Sequence, residues 1–159
     1  METLLPWIIL LHAVGAVIAF GPTFVFPFIG AMGGAEPAHG NFALRVSNTI
    51  STKLVTPLAI FQGVSGFAII GIAQRNPFAE PWLLISIVLY GIAIYVALGR
   101  QAPLLKQMIE MTSAPPPAGA TGGPPPAFLA AVKQSRMNGG ILSFLVLAIL
   151  FLMVMKPTI

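Results

Sequence analysis

One imidazole stands out as a group that could do chemistry, because His12 lies inside a long apolar stretch near the start of the chain. It is about seven residues into that stretch, which is about 10 Å along a helix. Helical spacing puts Gly15, Ala19 and Pro22 on the face that carries His12. Small residues on one face permit close contact with a neighbouring helix or a flat ligand, so we expect His12 to point into a bundle.

Three roles are open for His12. The imidazole could be neutral and hydrogen-bonded to a neighbouring helix. It could be an axial ligand of a b-type haem, because an imidazole among small apolar residues suits both the iron and the porphyrin plane. It could also serve a proton relay or another metal site, although a stable zinc or copper site needs three or four ligands.

The candidate neighbours of His12 come from the other apolar stretches. Tyr90 and Ser86 in the third stretch, and Ser65 in the second, fall near the depth of His12 if consecutive helices are antiparallel. We therefore treat His12, Gly15 and Tyr90 as the candidate cofactor-binding set. His39 lies in a Gly/Ala-rich connection on the other side of the membrane, where it could not share a haem with His12.

Other catalytic constellations are missing from the sequence. There is no Cys, which excludes disulfides, thiolate metal sites, iron–sulfur clusters and covalent haem attachment. There is also no Asp. No Ser-His-Asp set or carboxylate pair can be assembled. The Gly-rich segments are not followed by the Lys-Ser/Thr of a phosphate loop.

The composition requires lipid as a solvent for these residues. The chain has 159 residues, of which 57% are hydrophobic and 8% charged, whereas globular domains are about 25% charged. This excludes a cytosolic enzyme and a nucleic-acid-binding domain. Four apolar stretches are each close to the roughly 20 residues of a membrane-spanning helix. We predict an all-α fold of a single domain, a four-helix membrane bundle with spans at about 4–30, 54–72, 82–98 and 138–155.

The distribution of charge predicts the orientation of these spans. Arg75 and Lys156 lie on the side of the two termini, whereas six basic residues lie on the other side. By the positive-inside rule, both termini are outside the cell and the two longer connections are cytoplasmic. Trp7 and Trp82 then fall near the outer interface, where Trp is enriched. The dispersed basic residues suit lipid headgroups rather than nucleic acid.

The second cytoplasmic connection has structure of its own. Residues 103–111 read as a helical continuation of the third span. Residues 113–126 contain two proline triplets and intervening glycines, which is typical of a solvated linker. The helical pattern resumes at Ala127, so we expect the fourth helix to begin in the cytoplasm.

The motifs of the first three spans resemble a known group. Residues 11–17 (Leu-His-Ala-Val-Gly-Ala-Val) with the Phe-Gly-Pro at 20–22, and further short motifs at 56–57, 63–66 and 82–90, are similar to those of small, uncharacterised bacterial membrane proteins. These are grouped with the HemJ-type protoporphyrinogen oxidases and the copper-resistance D proteins. The resemblance covers about 100 residues and implies a four-span inner-membrane fold with a b-type haem held by His12.

The chain departs from the HemJ-type pattern in the third span. Ser86 stands where those enzymes have a Lys, and Gly91 stands where they have a second His. These departures argue against porphyrinogen oxidation and leave three alternatives: a haem bound through a single His, a haem shared by a homodimer, or no haem at all. Whether the chain is an enzyme stays undecided. The alternative is a non-catalytic accessory or assembly subunit of a larger respiratory or photosynthetic membrane complex.

Overall fold

The described part of the chain is helical throughout, as predicted. The computed structural model describes residues 3–113 and 123–157, and no strand occurs among them. The predicted all-α class is confirmed. The α-helices are α1 Leu5–Phe20, α2 Phe26–Ala35, α3 Gly40–Ile50, α4 Thr56–Ile72, α5 Pro81–Ile94, α6 Ala102–Met111 and α7 Pro126–Met155.

Short 3-10 or π segments join these elements into four long helices, each apolar enough to cross a membrane. The long helices are Leu5–Ala35, Pro37–Ile72, Pro81–Met111 and Pro126–Met155, with 31, 36, 31 and 30 residues. At 1.5 Å per residue each is about 45 Å long or more, whereas the hydrocarbon layer is about 30 Å thick. The helices therefore project beyond the apolar stretches from which the spans were predicted.

Prolines account for the interruptions within the long helices. The 3-10 segment Gly21–Phe24 contains Pro22 and separates α1 from α2. The π segments Ser51–Val55 and Tyr95–Gln101 each end two residues before a proline. A proline ring clashes with the carbonyl four residues earlier and donates no hydrogen bond to it. A wider turn at that point relieves the clash, so the helix continues past its proline.

The four long helices form an antiparallel ring in chain order. α1 packs on α4 and α2 on α3, α3 packs on α6, α5 packs on α7, and α7 returns to α2. Asn41 Nδ2 donates to Thr112 Oγ1 at 2.9 Å, which joins the start of the second long helix to the end of the third. We call this end of the bundle the loop side. The other end, with Leu5, the 73–80 turn and Met155, is the termini side.

The interior of the bundle combines small, polar and a few large apolar residues, whereas most of the large apolar residues lie outside. The buried positions include Ala19 and Ala59, together with the polar Gln62, Ser65, Ser86 and Asn138. Large apolar side chains such as Val17, Phe28 and Phe144 are exposed on the outside of the bundle. In lipid no hydrophobic force drives helices together, so close contact between small residues and interhelical hydrogen bonds hold them.

The structure describes the connection on the termini side and the first connection on the loop side in full, and the second connection on the loop side in part. The 73–80 turn is closed by an ion pair between Arg75 and Glu80 at 2.9 Å. His39 lies in a short 3-10 helix at the loop side, is exposed and bonds Glu36 at 3.1 Å. Most of the linker predicted at 113–126 falls on residues 114–122, which lie outside the described residues.

Candidate functional site

His12 lies on the face of α1 that meets α4. Its Nδ1 is 2.7 Å from Ser65 Oγ, a distance that only a hydrogen bond allows. Ser65 is 5% exposed, so the bond is formed at the buried side of the ring. His12 thus points towards a neighbouring helix, as expected, and makes the hydrogen bond that was one of the three roles left open for it.

The hydrogen bonds of Ser65 favour one tautomer of His12. Ser65 Oγ donates to the carbonyl of Phe61, one turn earlier on α4, at 2.7 Å, and a serine hydroxyl has one proton and two lone pairs. With its proton used in this way, the oxygen accepts from His12 Nδ1–H, and in this tautomer the lone pair of the ring is on Nε2. Within the described residues Nε2 has no hydrogen-bond partner, and the atom is not fully buried.

Gln62 closes the contact between α1 and α4 next to His12. Its Nε2 donates to the carbonyl oxygen of His12 at 2.9 Å. Gln62 is 5% exposed and fills the space beside Gly15, where any side chain would overlap Gln62 Nε2 and press on the Phe61 ring. Gly15 and Ala19 are the two buried residues of α1. The predicted small-residue face is therefore the face that packs on α4.

Tyr90 lies on α5 and reaches a different face of α4. Its hydroxyl donates to the carbonyl of Ala59 at 2.7 Å, and a Cβ at Gly63 would lie 2.7 Å from that hydroxyl. Tyr90 contacts α4 at Ala59 and Gly63, whereas His12 contacts it at Gln62, Ser65 and Gly66. At 100° per residue, the mean directions of these two sets are about 90° apart around the axis of α4. The structure thus brings His12 and Gly15 together and places Tyr90 in the contact between α4 and α5.

Ser86, the other predicted neighbour of His12, is turned back to its own helix. Its hydroxyl donates to the carbonyl of Trp82 at 2.7 Å, and the residue is 1% exposed. This is the usual way in which a serine satisfies its hydroxyl within a membrane helix. Of the two serines, Ser65 is therefore the one that is hydrogen-bonded to the His12 ring.

The donor set around His12 fits one axial ligand and no closed metal centre. A haem ligand needs an imidazole nitrogen with a free lone pair, and the orientation of His12 provides it at Nε2. The bond from the opposite nitrogen to a fixed acceptor is the usual support for a metal-binding His. Among the residues that the structure describes, no group of three or more His, Cys, Asp or Glu could hold a bare metal ion.

A second polar cluster lies at the loop side, between the third and fourth long helices, and was not predicted from the sequence. Gln134 Nε2 donates to Asn138 Oδ1 at 2.9 Å, and Gln101 Nε2 donates to Ser135 Oγ at 2.8 Å. Of these four side chains, Gln134 and Asn138 border an open pocket of about 460 Å³. The only advance signal was the spacing of Gln134 and Asn138, four residues apart on one helix face.

Comparison with known proteins identifies the family. No curated protein and no solved structure matched the chain. The sequence model of a family described as "Predicted integral membrane protein (DUF2269)" matches residues 6–157, which takes in all four long helices except Leu5. The chain is therefore a multi-pass integral membrane protein, and it belongs to the DUF2269 family.

Proposed function

We propose that the protein binds a b-type haem through His12 Nε2 and serves in a redox or porphyrin-handling role in the bacterial inner membrane. The observation that carries this proposal is the hydrogen bond of His12 Nδ1 to Ser65 Oγ at 2.7 Å. That bond orients the plane of the ring, and in the Nδ1–H tautomer that Ser65 favours it leaves the other nitrogen for a ligand. The resemblance of residues 11–22 to the first span of HemJ-type proteins supports the same role.

Three residues have separate roles at this site. His12 would hold the haem iron through its Nε2, Ser65 would support it by the bond at Nδ1, and Gln62 fixes the backbone of α1 at His12. A haem supplies one-electron redox chemistry when bound, and its potential depends on axial ligation and the surrounding polarity. Ser86 and Gly91 stand at the positions of the HemJ-type Lys and second His, so we do not extend the proposal to porphyrinogen oxidation.

The number of histidines in the chain limits how many protein ligands one chain could give to a haem. Of the two His residues in the chain, His39 lies at the loop side and bonds Glu36, away from His12. One chain would therefore hold a haem through a single His, and a second His ligand would have to come from a second copy of the chain. A homodimer sharing one haem between two His12 residues would bind half a haem per chain.

The visible absorption spectrum of the purified protein tests the proposal. The protein is expressed with haem supplementation, purified in mild detergent and compared with His12→Ala and His39→Ala. The expected result is a Soret band that is lost in His12→Ala and retained in His39→Ala, which removes the same side chain outside the site. A folded, colourless wild-type protein, or equal Soret bands in all three, would overturn haem binding by His12.

A second candidate function is that of a non-catalytic accessory or assembly subunit in a larger membrane complex. It is favoured by the partial exposure of His12, whose Nε2 could accept a hydrogen bond from a partner helix instead of binding iron. Native electrophoresis in mild detergent distinguishes the two. Co-migration with a larger assembly that is lost in His12→Ala, without a Soret band, supports the subunit role. Migration as a monomer or homodimer counts against it.

We propose that both termini face the periplasm. Six of the eight basic residues lie towards the loop side, on parts of the helices that project past the apolar core: Arg45, Lys53, Arg100, Lys106, Lys133 and Arg136. Short segments rich in Lys and Arg are retained on the cytoplasmic side. At the termini side the Lys156 ammonium lies 5.7 Å from the centre of the Trp82 ring, a pairing suited to a headgroup region.

A further inference from the structure

The pocket at the loop side has the chemistry of an anion site. Its lining includes Arg100, Gln107, Gln134 and Asn138, all of which carry N–H donors, and no acidic residue. No carboxylate of the described residues pairs with Arg100. A guanidinium together with side-chain amides, free of competing carboxylates, favours an oxyanion such as a phosphate.

One donor of the pocket is buried and lacks a partner. Asn138 is 2% exposed, and its Nδ2 has no hydrogen bond within the described residues. Its Oδ1 accepts from Gln134 Nε2 at 2.9 Å, and this bond fixes the amide so that Nδ2 is the group left to donate. Buried amide groups in proteins are nearly always hydrogen-bonded, so an unsatisfied one beside a pocket marks a place for an acceptor.

The backbone around Arg100 is shaped by the π segment Tyr95–Gln101 and by Pro103, two residues after its end. π turns within α-helices are frequently found at functional sites. Here the π segment provides Tyr95, Gly99 and Arg100 to the pocket lining. The wider turn thus brings Arg100 to the same pocket as the amides of the fourth long helix.

We propose that this pocket binds the phosphate group of an anionic phospholipid, independently of the role of His12. Three features favour a lipid over a free phosphate ion. The pocket lies on the loop side, where most of the basic residues are found, and it is open to the surroundings of the bundle. Its lining also includes Leu104, Pro103 and the Tyr95 ring, which can contact acyl or glycerol carbons. Basic pockets between membrane helices are typical sites for such headgroups.

Native mass spectrometry of the purified protein tests this proposal with defined lipids. The delipidated protein is titrated with phosphatidylglycerol or with phosphatidylcholine of the same acyl chains. Arg100→Gln removes the charge from the pocket, and Arg45→Gln removes the same charge on the loop side outside it. We expect selective retention of phosphatidylglycerol that is weakened about tenfold in Arg100→Gln and unchanged in Arg45→Gln.

Two further measurements make the result decisive. Asn138→Leu keeps the volume of the side chain and removes the donor, so it should also weaken phosphatidylglycerol binding while the protein stays folded by circular dichroism. Inorganic phosphate at millimolar concentration should not displace the lipid. Displacement would assign the site to free phosphate and overturn the proposal that it binds a lipid. Equal losses in Arg100→Gln and Arg45→Gln, or equal retention of the two lipids, would overturn the site itself.

Discussion

His12 Nδ1 and Ser65 Oγ are 2.7 Å apart, and this bond joins the first and second long helices at the candidate site, next to the bond from Gln62 to the carbonyl of His12. Ser65 Oγ donates its own hydrogen bond to the carbonyl of Phe61, which favours the Nδ1–H tautomer of the imidazole. The consequence is a histidine whose ring is fixed from one side and whose second nitrogen is available on the other.

Removing the acceptor of His12 should weaken haem binding without abolishing it. Ser65→Ala leaves Nδ1–H without its partner and frees the ring to rotate. Loss of such a supporting bond typically lowers metal affinity by about 10–100-fold. Haem titration followed at the Soret band measures the change. Ser86→Ala is the matched control, since Ser86 bonds only its own helix, and an equal effect of both substitutions would show that Ser65 does not position His12.

Filling the space at Gly15 should destabilise the bundle. Gly15→Ala forces Gln62 to move, and Gln62 can move only by giving up its bond to the His12 carbonyl. Overpacking of this kind costs about 1–3 kcal/mol. Gly91→Ala meets no atom within 4 Å and should be neutral or stabilising by up to about 1 kcal/mol, because alanine favours a helix. Denaturant unfolding in detergent compares them, and equal stabilities would contradict the close contact of α1 with α4.

Tyr90→Phe separates a packing role from a ligand role. The substitution removes only the hydroxyl that bonds the carbonyl of Ala59, so it should lower the free energy of unfolding by about 0.5–1.5 kcal/mol. The Soret band should be unchanged, because Tyr90 contacts a different face of α4 from His12. A shifted Soret band with unaltered stability would instead place Tyr90 at the cofactor.

The orientation of the bundle can be measured with alkaline phosphatase fusions, which are active only in the periplasm. We expect activity for a fusion at the C-terminus and none for a fusion after Thr121, because the basic residues cluster towards the loop side. A green fluorescent protein fusion at each site should give the complementary signal. The reverse pattern would invert the assignment and place His12 in the inner half of the membrane.

Much of the fold could be predicted because lipid imposes a strong pattern on the sequence. Runs of apolar residues near the required length gave four spans, and the spacing of His12, Gly15 and Ala19 gave the face of α1 that packs on α4. The continuation of the second long helix through α3 was not predicted. α3 carries polar residues on one side, so it lacks the continuous apolar run from which spans are recognised.

The polar contacts were less predictable than the helices. Depth placed both Ser65 and Ser86 near His12, but only the rotation of each helix about its axis decides which of them meets it. The rotation of each helix about its axis depends on how all four helices pack together, and the sequence of a single span does not determine that packing. The cluster of Gln101, Ser135 and Asn138 was missed for the same reason, since its members lie on two helices far apart in sequence.

Rescue of a cavity variant by free imidazole tests the central claim most directly. His12→Gly removes the proposed axial nitrogen, and millimolar imidazole added to the detergent-purified variant can replace it. We predict that the Soret band is present in the wild-type protein, absent in His12→Gly, and restored by imidazole to the wild-type position. A Soret band in His12→Gly that equals the wild-type band without imidazole would contradict the assignment of His12 as the haem ligand.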